Sequence, residues 1–349
     1  MLLTLNCGSS SLKFGAYNRD GATVTLAAEG EIEEIGDQDY VAALERALAD
    51  LKQHGAETFE AVGHRFVHGG PRLREHFVLD ANSEKQLEAA VEFAPLHMPP
   101  ALAVLRAAQQ KMARIPQVIC LDTAFHRNMP DLGRTFALPE RIRQLGVERY
   151  GFHGLSLESI LHQLPAIPSR LIVAHLGNGA SITAIRDGAS IDTSMGLTPA
   201  GGFLMGTRPG DLDPGVLLYL LRHGYDTPDA LEQVCNHESG LLGLSGQTSD
   251  VRKLTALRPT DPRADLALRL FSYQVRKTIA AMTAALGGVD LLVFTGGIGE
   301  HAADLRSEIV EGLRFLDLPD VRVLPSREDE QIARNTVTLL SGSSKNPPE

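Results

Sequence analysis

Two turns of small polar residues, half a chain length apart, have the composition of phosphate-binding loops. Residues 6–11 read Asn-Cys-Gly-Ser-Ser-Ser and residues 175–179 read His-Leu-Gly-Asn-Gly, and each turn joins two apolar segments. Small residues expose main-chain N–H groups and hydroxyls without side-chain bulk, as a loop that folds around phosphate oxygens requires. One such hairpin alone would favour an ordinary polar turn, but the pair predicts a clamp on one nucleotide tail.

Charged side chains stand beside the glycine-rich segments at several points. Lys13, Arg65, His153 and Arg208 could each bring positive charge to a transferred phosphoryl group. Any one of them, taken singly, is more often a solvated or structural residue. Asp122 follows a predicted buried strand, and ligands of open α/β sheets bind at the carboxyl ends of such strands.

A third glycine-rich segment is compatible with a different chemistry. Residues 297–302 (Gly-Ile-Gly-Glu-His-Ala) match the dinucleotide fingerprint Gly-x-Gly-x-x-Gly/Ala, and Asp317 follows at the expected distance. This match leaves a nicotinamide-dependent oxidoreductase as an alternative, although such motifs usually begin the first nucleotide-binding half of a chain. The same turn can equally receive an adenosine or its α-phosphate.

Several other mechanisms lack their residues. The chain has no P-loop lysine motif, no protein-kinase His-Arg-Asp or Asp-Phe-Gly, and no Gly-x-Ser-x-Gly nucleophile elbow. His64 and His68 are four residues apart, but a predicted strand and two glycines around them do not form a helical zinc face. The sequence therefore indicates a phosphate-handling mechanism of another kind.

Hydrophobic periodicity and capping residues predict the elements that position these groups. Ser83 with Gln86 resembles a capping box, and Asp261 before Pro262 predicts the start of a long helix that ends at Gly287. The predicted helices cover 40–54, 83–93, 99–112 and 262–286, with another from 302. The predicted strands cover the hairpins 2–21 and 171–188 and the segments 60–67, 117–121 and 290–294. A turn is expected over 295–300 and a long loop over 192–214.

Length and composition indicate a globular protein of two domains. A chain of 349 residues is long for a single core. The net charge of −10 argues against a nucleic-acid surface, and no segment is apolar enough to predict a membrane span. Cys7, Cys120 and Cys235 are odd in number and widely spaced, which fits neither a disulfide framework nor a Cys-x-x-Cys metal site. The start of the chain also lacks the features of an export signal, so a cytoplasmic location is expected. The predicted limits are 1–149, 150–327, a last helix 328–340 that packs back on the first domain, and a frayed tail 341–349.

Seven motifs together resemble the acetate kinase family, in order and spacing, from residue 2 to about residue 335. They are Asn-Cys-Gly-Ser-Ser-Ser-Leu-Lys at 6–13, His-Arg-Phe-Val-His-Gly-Gly at 64–70, Ala-Pro-Leu-His at 94–97, Leu-Asp-Thr-Ala-Phe-His at 121–126, Tyr-Gly-Phe-His-Gly at 150–154, His-Leu-Gly-Asn-Gly at 175–179 and Met-Gly-Thr-Arg at 205–208. The resemblance implies an α/β protein with a duplicated actin-like (ribonuclease H-like) ATPase fold, a nucleotide cleft between two domains, and a homodimer.

The activity implied by this resemblance is reversible transfer of the ATP γ-phosphoryl group to acetate, which gives acetyl phosphate and ADP. The resemblance implies Mg²⁺ as the metal, with Mn²⁺ as an alternative. Acetate or another short carboxylate is the implied partner, with no nucleic acid or membrane. A kinase that prefers propionate or butyrate, and a nucleotide-binding relative without catalysis, stay open as alternatives.

Individual residues receive roles from the same resemblance. The implied catalytic residues are Asp122, His153 and Arg208, and the implied metal-positioning residues are Asn6 and Glu328. Substrate binding is assigned to Arg65 and to an acyl pocket of Val67, Leu96, Phe152 and Pro199. Nucleotide binding is assigned to Ser9, Ser11, Lys13, His175, Leu176, Gly177, Asn178, Gly179, Asp250, Val251, Arg252, Gly297, Ile298, Gly299, Glu300 and His301.

The chain departs from the usual family residues at several of these motifs. Leu155 and Leu157 stand where Thr and His are typical, which removes two polar groups beside His153. His301 replaces Asn in the adenosine turn, and Arg327 replaces the Asn before Glu328. These differences bear on the orientation of His153, the nucleotide preference and the assignment of Glu328 to the metal.

Overall fold

The computed structural model describes residues 1–8, 11–33, 35, 39–316, 318 and 320–343. The chain divides into two units, and the first is assembled from three segments that are distant in sequence. The first unit comprises Met1–Arg127, Phe152–His162 and Arg327–Glu349; the second comprises Asn128–Gly151 and Gln163–Ser326. The predicted domain limits cut the chain once near residue 150, whereas the two units interleave there.

Eleven strands are found among the described residues. They are β1 (Leu2–Cys7), β2 (Leu12–Asp20), β3 (Thr23–Ile32), β4 (Ala61–Phe66), β5 (Phe77–Val78), β6 (Gln117–Leu121), β7 (Arg170–Leu176), β8 (Ala180–Arg186), β9 (Ala189–Thr193), β10 (Leu291–Thr295) and β11 (Val321–Val323).

The described part of the chain also contains fourteen α-helices. They are α1 (Tyr40–Gln53), α2 (Ala81–Ala89), α3 (Met98–Lys111), α4 (Asp131–Arg134), α5 (Glu140–Arg143), α6 (Gly154–Gln163), α7 (Pro214–Leu221), α8 (Pro228–Gln233), α9 (Gly240–Ser245), α10 (Val251–Leu257), α11 (Pro262–Leu286), α12 (Gly296–His301), α13 (Ala303–Glu311) and α14 (Glu328–Ser343). No helix of the described ranges combines the length and apolar character that a membrane crossing needs.

The first unit is built on a mixed sheet with the strand order β3-β2-β1-β4-β6-β5. The hairpin β1–β2 is antiparallel, with Asn6 opposite Lys13, while β4 and β6 continue the sheet in parallel with β1. Near-continuous burial of β1, β4 and β6 fits strands that are covered on both faces. Parallel pairing brings the carboxyl ends of these three strands to one edge of the sheet.

The second unit repeats this topology with the strand order β11-β10-β7-β8-β9. Its hairpin β7–β8 is antiparallel, β9 extends that hairpin, and β10 pairs in parallel with β7. Long helix α11 contacts β7, β8 and β9 through an apolar face that includes Phe271 and Ile279. The repeated hairpin recognised in the sequence is therefore a repeated sheet.

Helix α14 returns to the first sheet from the far end of the chain. Ala333 and Val337 pack with Leu2 and Ala61 of β1 and β4. The contact is so close that a Cβ at Gly63 would lie 2.5 Å from the Thr336 hydroxyl oxygen. The last helix thus completes the core of the first unit.

Most predicted elements appear within a few residues of their expected limits, and two local details are wrong. The N-cap of α2 is Asp80, whose side chain accepts the Ser83 N–H, so Ser83 is the third residue of the capping box instead of the cap. A turn expected over 295–300 is instead helix α12, which begins directly at Gly296. The long helix is confirmed, with Asp261 as N-cap and Gly287 as a left-handed C-cap.

Candidate functional site

Three parallel strands place a buried ion pair at the carboxyl edge of the first sheet. Arg65, on β4, donates from Nε and Nη2 to Oδ2 of Asp122 at 3.0 and 2.7 Å. Its remaining nitrogen, Nη1, donates to Oδ1 of Asn6 at 3.0 Å. Asn6 lies on β1 and Asp122 follows β6, so the topology explains why residues 59 and 57 positions from Arg65 converge on its guanidinium.

The Asp122 carboxylate is only half satisfied by these contacts. Its side chain is 1% exposed, and its second oxygen, Oδ1, is buried without a hydrogen-bond partner among the described residues. Burial raises the pKa of Asp122, and the Arg65 charge and hydrogen bonds oppose that rise. An unsatisfied buried carboxylate oxygen is costly for a fold, which marks this atom as a candidate ligand or substrate contact.

His153 is held against Asp122 by strained main chain. Its φ of 59° lies in the left-handed region, which a non-glycine residue occupies only when the surrounding structure imposes it. The next residue, Gly154, donates its N–H to the Asp122 carbonyl at 2.9 Å. A Cβ at position 154 would lie 2.3 Å from that oxygen, so the approach requires glycine. His126 supports the same segment by donating from Nε2 to the Phe152 carbonyl at 3.0 Å.

Two acidic residues at the start of α14 add negative charge to this edge. Glu328 begins the helix, and the next residue, Asp329, accepts a hydrogen bond from Asn6. Burial, with the Glu328 charge added, raises the pKa of Asp329 to about 6. Its Oδ1 is buried without a hydrogen-bond partner in the described part of the chain. Sequence reasoning missed Asp329, although its place beside Glu328 was an available signal.

Apolar residues line the neighbouring part of the first unit. Val67 follows β4 directly and is 8% exposed, Phe152 is almost fully buried, and Leu96 is half-buried. His68 lies between two rings, stacked on Phe93 at 5.2 Å and edge-on to Phe152 at 5.6 Å. Pro199, the fourth residue of the expected acyl pocket, belongs to the second unit.

The first glycine-serine turn is described only in part. Ser9 lies outside the described residues. Gly8 donates its N–H to the Ser11 carbonyl at 2.8 Å, which closes the turn between β1 and β2. Lys13 follows this turn on β2. Its side chain is half exposed, and its Nζ lies 4.0 Å from Oε2 of Glu31.

The second unit contains a cavity of about 620 Å³ that gathers residues from three predicted nucleotide segments. Those of the prediction that line it are Gly177, Asn178, Asp250, Val251, Arg252, Gly297, Ile298 and His301. Thr255 and Leu305 also line the cavity and were missed, because neither belongs to a recognisable motif. A cavity of this size, walled by a hairpin turn and two helix starts, suits a nucleotide.

Other predicted nucleotide residues lie behind this wall. Glu300 accepts N–H groups from Gly296 at 3.1 Å and Ser326 at 2.9 Å, so its carboxylate joins two main-chain segments. His175 and Leu176 end β7, where a Cβ at Gly296 would lie 2.8 Å from the Leu176 carbonyl. The close packing explains why the second sheet needs glycine after β10.

Arg208 is held by main chain beside the second phosphate-type turn. It donates from Nη1 to the Pro199 carbonyl at 3.2 Å, and its own carbonyl accepts the Met205 N–H at 2.9 Å. Gly206 donates to the Asn178 carbonyl at 3.1 Å and has no room for a Cβ, which would lie 2.0 Å from Asn178 Oδ1. Burial lowers the pKa of Arg208 from its ordinary value.

Comparisons with known proteins agree with the motifs and the fold. A model of the acetokinase family matches residues 20–331. Acetate kinase 2 of Neisseria meningitidis serogroup B is 37% identical to this chain, with 97% of the chain and 98% of the relative covered.

Solved structures show the same likeness. A crystal structure of Porphyromonas gingivalis acetate kinase superposes with a TM-score of 0.87 at 33% identity, covering 97% of this chain and 99% of that one. A propionate kinase from Francisella tularensis gives a TM-score of 0.84 at 35% identity, covering 96% and 98%. A ROK hexokinase from Thermus thermophilus, with a TM-score of 0.51 at 14% identity and 99% of each chain covered, shares the fold alone.

The expected duplicated actin-like α/β fold is thereby confirmed. Nothing in these likenesses supports the nicotinamide alternative, because the matched proteins are kinases over almost the whole chain. A family match that spans most of the residues, joined to relatives above 30% identity over nearly their full length, establishes that this chain belongs to the acetokinase family.

Proposed function

We propose that this protein is an acetate kinase that transfers the γ-phosphoryl group of ATP reversibly to acetate. The observation that carries the proposal is the buried Arg65–Asp122 pair at the carboxyl edge of the first sheet. The Oδ1 atom of Asp122 has no hydrogen-bond partner among the described residues, and the neighbouring segment holds His153 in a left-handed conformation. In the reaction an acetate oxygen attacks the γ-phosphorus while the bond from phosphorus to the bridging oxygen breaks. The electron pair of that bond leaves with ADP.

The acid substrate is assigned to the first unit. Arg65 presents a rigid fork of donors, which suits a carboxylate, and its two contacts with Asp122 fix the direction of that fork. Val67, Leu96 and Phe152 offer apolar surface for the acyl methyl group. Acetate is already ionised at neutral pH, so no strong base is required of Asp122.

Phosphoryl transfer depends on alignment and positive charge more than on bond-making side chains. Arg208 and His153 are proposed to stabilise charge on the phosphoryl oxygens during transfer. Both are held by main-chain contacts, Arg208 by the Pro199 carbonyl and His153 by its left-handed backbone. Such preorganised donors need no rearrangement at the moment of reaction.

The residues around Asp122 fit a hard divalent cation, which we propose is Mg²⁺, with Mn²⁺ as a substitute. Two buried carboxylate oxygens, Oδ1 of Asp122 and Oδ1 of Asp329, have no partner in the described part of the chain, and oxygen ligands are what Mg²⁺ prefers. Asn6 and Glu328 would hold the ion largely through water, since no cluster of three acidic, histidine or cysteine side chains forms among the described residues. When bound, such an ion neutralises phosphate charge.

The nucleotide is assigned to the 620 Å³ cavity of the second unit. Asp250 caps α10 through the Arg252 N–H, which fixes the start of that helix at the cavity wall. His301 is proposed to contact the adenosine, and the turn at Gly177 and Asn178 is proposed to receive phosphate oxygens.

A second copy of the chain is the proposed partner. None of the eight residues of α7, Pro-Gly-Val-Leu-Leu-Tyr-Leu-Leu, is fully buried within one chain, and Leu218 and Tyr219 are 53% and 60% exposed. A helix this apolar in water calls for a covering surface. We expect a homodimer in sedimentation experiments and a shift towards monomer in Leu218→Glu; wild-type protein that sediments as a monomer at micromolar concentration would contradict the proposal.

A cytoplasmic location is also proposed, since three cysteines are free and ATP is the co-substrate.

The test of the activity is acyl phosphate formation with Mg²⁺ and ATP, trapped by hydroxylamine, with acetate, propionate and butyrate as acceptors. We expect the largest kcat/KM with acetate. A larger value with propionate would favour the alternative suggested by the similar Francisella tularensis protein. Nucleotide binding without product for any acid would favour a non-catalytic relative.

A further inference from the structure

The carboxylate of Glu158 joins three segments of the first unit that are far apart in the sequence. It lies on α6 and accepts from Nε2 of His76, which precedes β5, at 3.0 Å. It also accepts from Nδ2 of Asn335 at 2.8 Å and from Nε2 of Gln331 at 3.4 Å, both on α14. The His76 and Glu158 side chains are only 15% and 18% exposed, so these bonds lie in the interior.

The other side of the His76 ring holds the strand that precedes Asp122. Nδ1 of His76 accepts the main-chain N–H of Leu121 at 3.0 Å. Main-chain pairing of β5 with β6 ends at Phe77 opposite Ile119, so the imidazole takes over where β5 no longer reaches the strand. Because the Leu121 N–H donates to Nδ1, that nitrogen is the acceptor of the ring. The other nitrogen, Nε2, therefore carries the proton and donates it in a hydrogen bond to the Glu158 carboxylate.

These contacts form a closed chain that begins and ends at the main chain next to Asp122. From Asp122, the carbonyl accepts the Gly154 N–H, and α6 then leads one turn along to Glu158. From Glu158, the His76 ring leads to Leu121, the residue before Asp122. His153 directly precedes Gly154, so the position of its backbone depends on both anchors of α6, the Gly154 contact with Asp122 and the Glu158 contact with His76.

Apolar contacts also hold the start of α6. Leu155 packs with Val118, Cys120 and Ile332, and Leu157 is fully buried. Apolar packing holds a helix on a sheet but tolerates small sliding, whereas directed hydrogen bonds to a carboxylate fix its height. Burial by itself would raise the pKa of Glu158, but hydrogen bonds from His76, Asn335 and Gln331 bring it below its ordinary value, which keeps the carboxylate charged.

We propose that Glu158 and His76 are a pair of positioning residues, which set the relative height of Asp122 and His153 and so control the rate of phosphoryl transfer. Neither side chain touches substrate in this proposal. Asn335 and Gln331 extend the same control to α14, whose first turn carries Glu328 and Asp329. The inference rests on the proposed function for its kinetic consequence, while the network itself can be tested without turnover.

The kinetic test compares Glu158→Ala, Glu158→Gln and His76→Asn in the full chain. A displacement of about 1 Å at reacting groups costs on the order of 100-fold in rate, so we expect a 10- to 100-fold lower kcat in Glu158→Ala. The KM for ATP should stay within about twofold, because the nucleotide cavity belongs to the second unit. Glu158→Gln retains one acceptor oxygen but turns an NH2 group towards one of the donors, so it should recover only part of the lost rate. His76→Asn keeps an acceptor for Leu121 but not the Glu158 bond.

The matched control is Gln117→Ala, which removes a buried hydrogen bond at the opposite end of the same strand. Gln117 Oε1 accepts from His64 Nε2 at 2.7 Å, so its loss should lower stability without moving Asp122. A folded Glu158→Ala protein with kcat within twofold of wild type would overturn the proposal. An equal loss of kcat in Gln117→Ala would do the same, since it would make the effect one of general stability.

Amide hydrogen exchange of Leu121, followed by NMR, tests the network independently of activity. We expect faster exchange in His76→Ala and Glu158→Ala but unchanged exchange in Gln117→Ala. Unchanged exchange of Leu121 in both network variants would overturn the positioning role even if turnover fell. If wild-type protein forms no acyl phosphate, the proposed activity fails while the exchange result still decides the network.

Discussion

Replacing Gly154 by alanine should lower the rate of catalysis while leaving the protein folded. An added Cβ would lie 2.3 Å from the Asp122 carbonyl oxygen and 2.9 Å from the Phe125 Cβ. Both neighbours are stiff, because one is main chain and the other is the first carbon of a side chain. Restoring an approach of 3.0 Å to the carbonyl requires a movement of about 0.7 Å, which α6 and Asp122 must share.

The size of the effect follows from that movement. Overpacking of this kind costs about 1 to 3 kcal/mol, and the better helix propensity of alanine offsets up to about 1 kcal/mol of it. The net loss of unfolding free energy should therefore be between about 0 and 3 kcal/mol. Displacement of Asp122 and His153 by most of an ångström should lower kcat on the order of 10- to 100-fold.

The assay is hydroxylamine trapping of acyl phosphate, combined with denaturant unfolding of the same samples. Gly342→Ala is the matched control, since Gly342 also lies on a helix but a Cβ there meets no atom within 4 Å. We expect the control to keep full activity and to gain up to about 1 kcal/mol of stability. A folded Gly154→Ala protein whose kcat stays within threefold of wild type would refute the reasoning from close approach.

Three further outcomes are expected. Arg208→Ala should lower kcat about 1,000-fold while the Kd for ATP, measured by calorimetry, stays within a few-fold, since a preorganised cation acts on the transition state; unchanged turnover would remove Arg208 from the mechanism. Val67→Ala should raise the propionate-to-acetate ratio of kcat/KM roughly tenfold, because one methylene is worth about 1 to 3 kcal/mol in such a pocket; an unchanged ratio would reject the pocket assignment. Burial lowers the pKa of His126 from 6.5 to about 4, so its stabilising contribution is complete above pH 6.5 and is lost as pH falls through 4. His126→Gln should therefore flatten the loss of unfolding free energy between pH 7 and pH 4 by about 3 kcal/mol, and parallel curves for the two proteins would contradict that origin.

The positions of the strands and several residues of the candidate site were accessible from the sequence because they depend on local patterns. Apolar runs predicted β1, β4 and β6, and the rule for carboxyl ends of parallel strands pointed to Asp122, which follows β6 at the edge where Asn6 also lies. Eight of the predicted nucleotide residues line the cavity of the second unit for the same reason, since each of its walls carries a glycine-rich or capping motif.

Interactions between distant residues, and the outcome where two local signals compete, could not be predicted from the sequence. The Glu158–His76 bond joins positions 82 residues apart, and no periodicity or motif connects them. The left-handed His153 follows from tertiary packing around Asp122, which a sequence pattern does not contain. At α2, both Asp80 and Ser83 are good caps, and the choice of Asp80 depends on where the preceding strand ends.

The interleaved segments of the first unit constrain the order in which the chain can fold during synthesis. Its first sheet is complete once residue 127 has left the ribosome, but α14, which covers that sheet, is made last. Roughly 200 residues, most of them from the second unit, are translated in between, which takes about 10 to 40 seconds at ordinary bacterial and eukaryotic rates. The nascent protein therefore carries an uncovered apolar sheet face, including Leu2 and Ala61, for that interval, and the second unit is the part that can finish folding first.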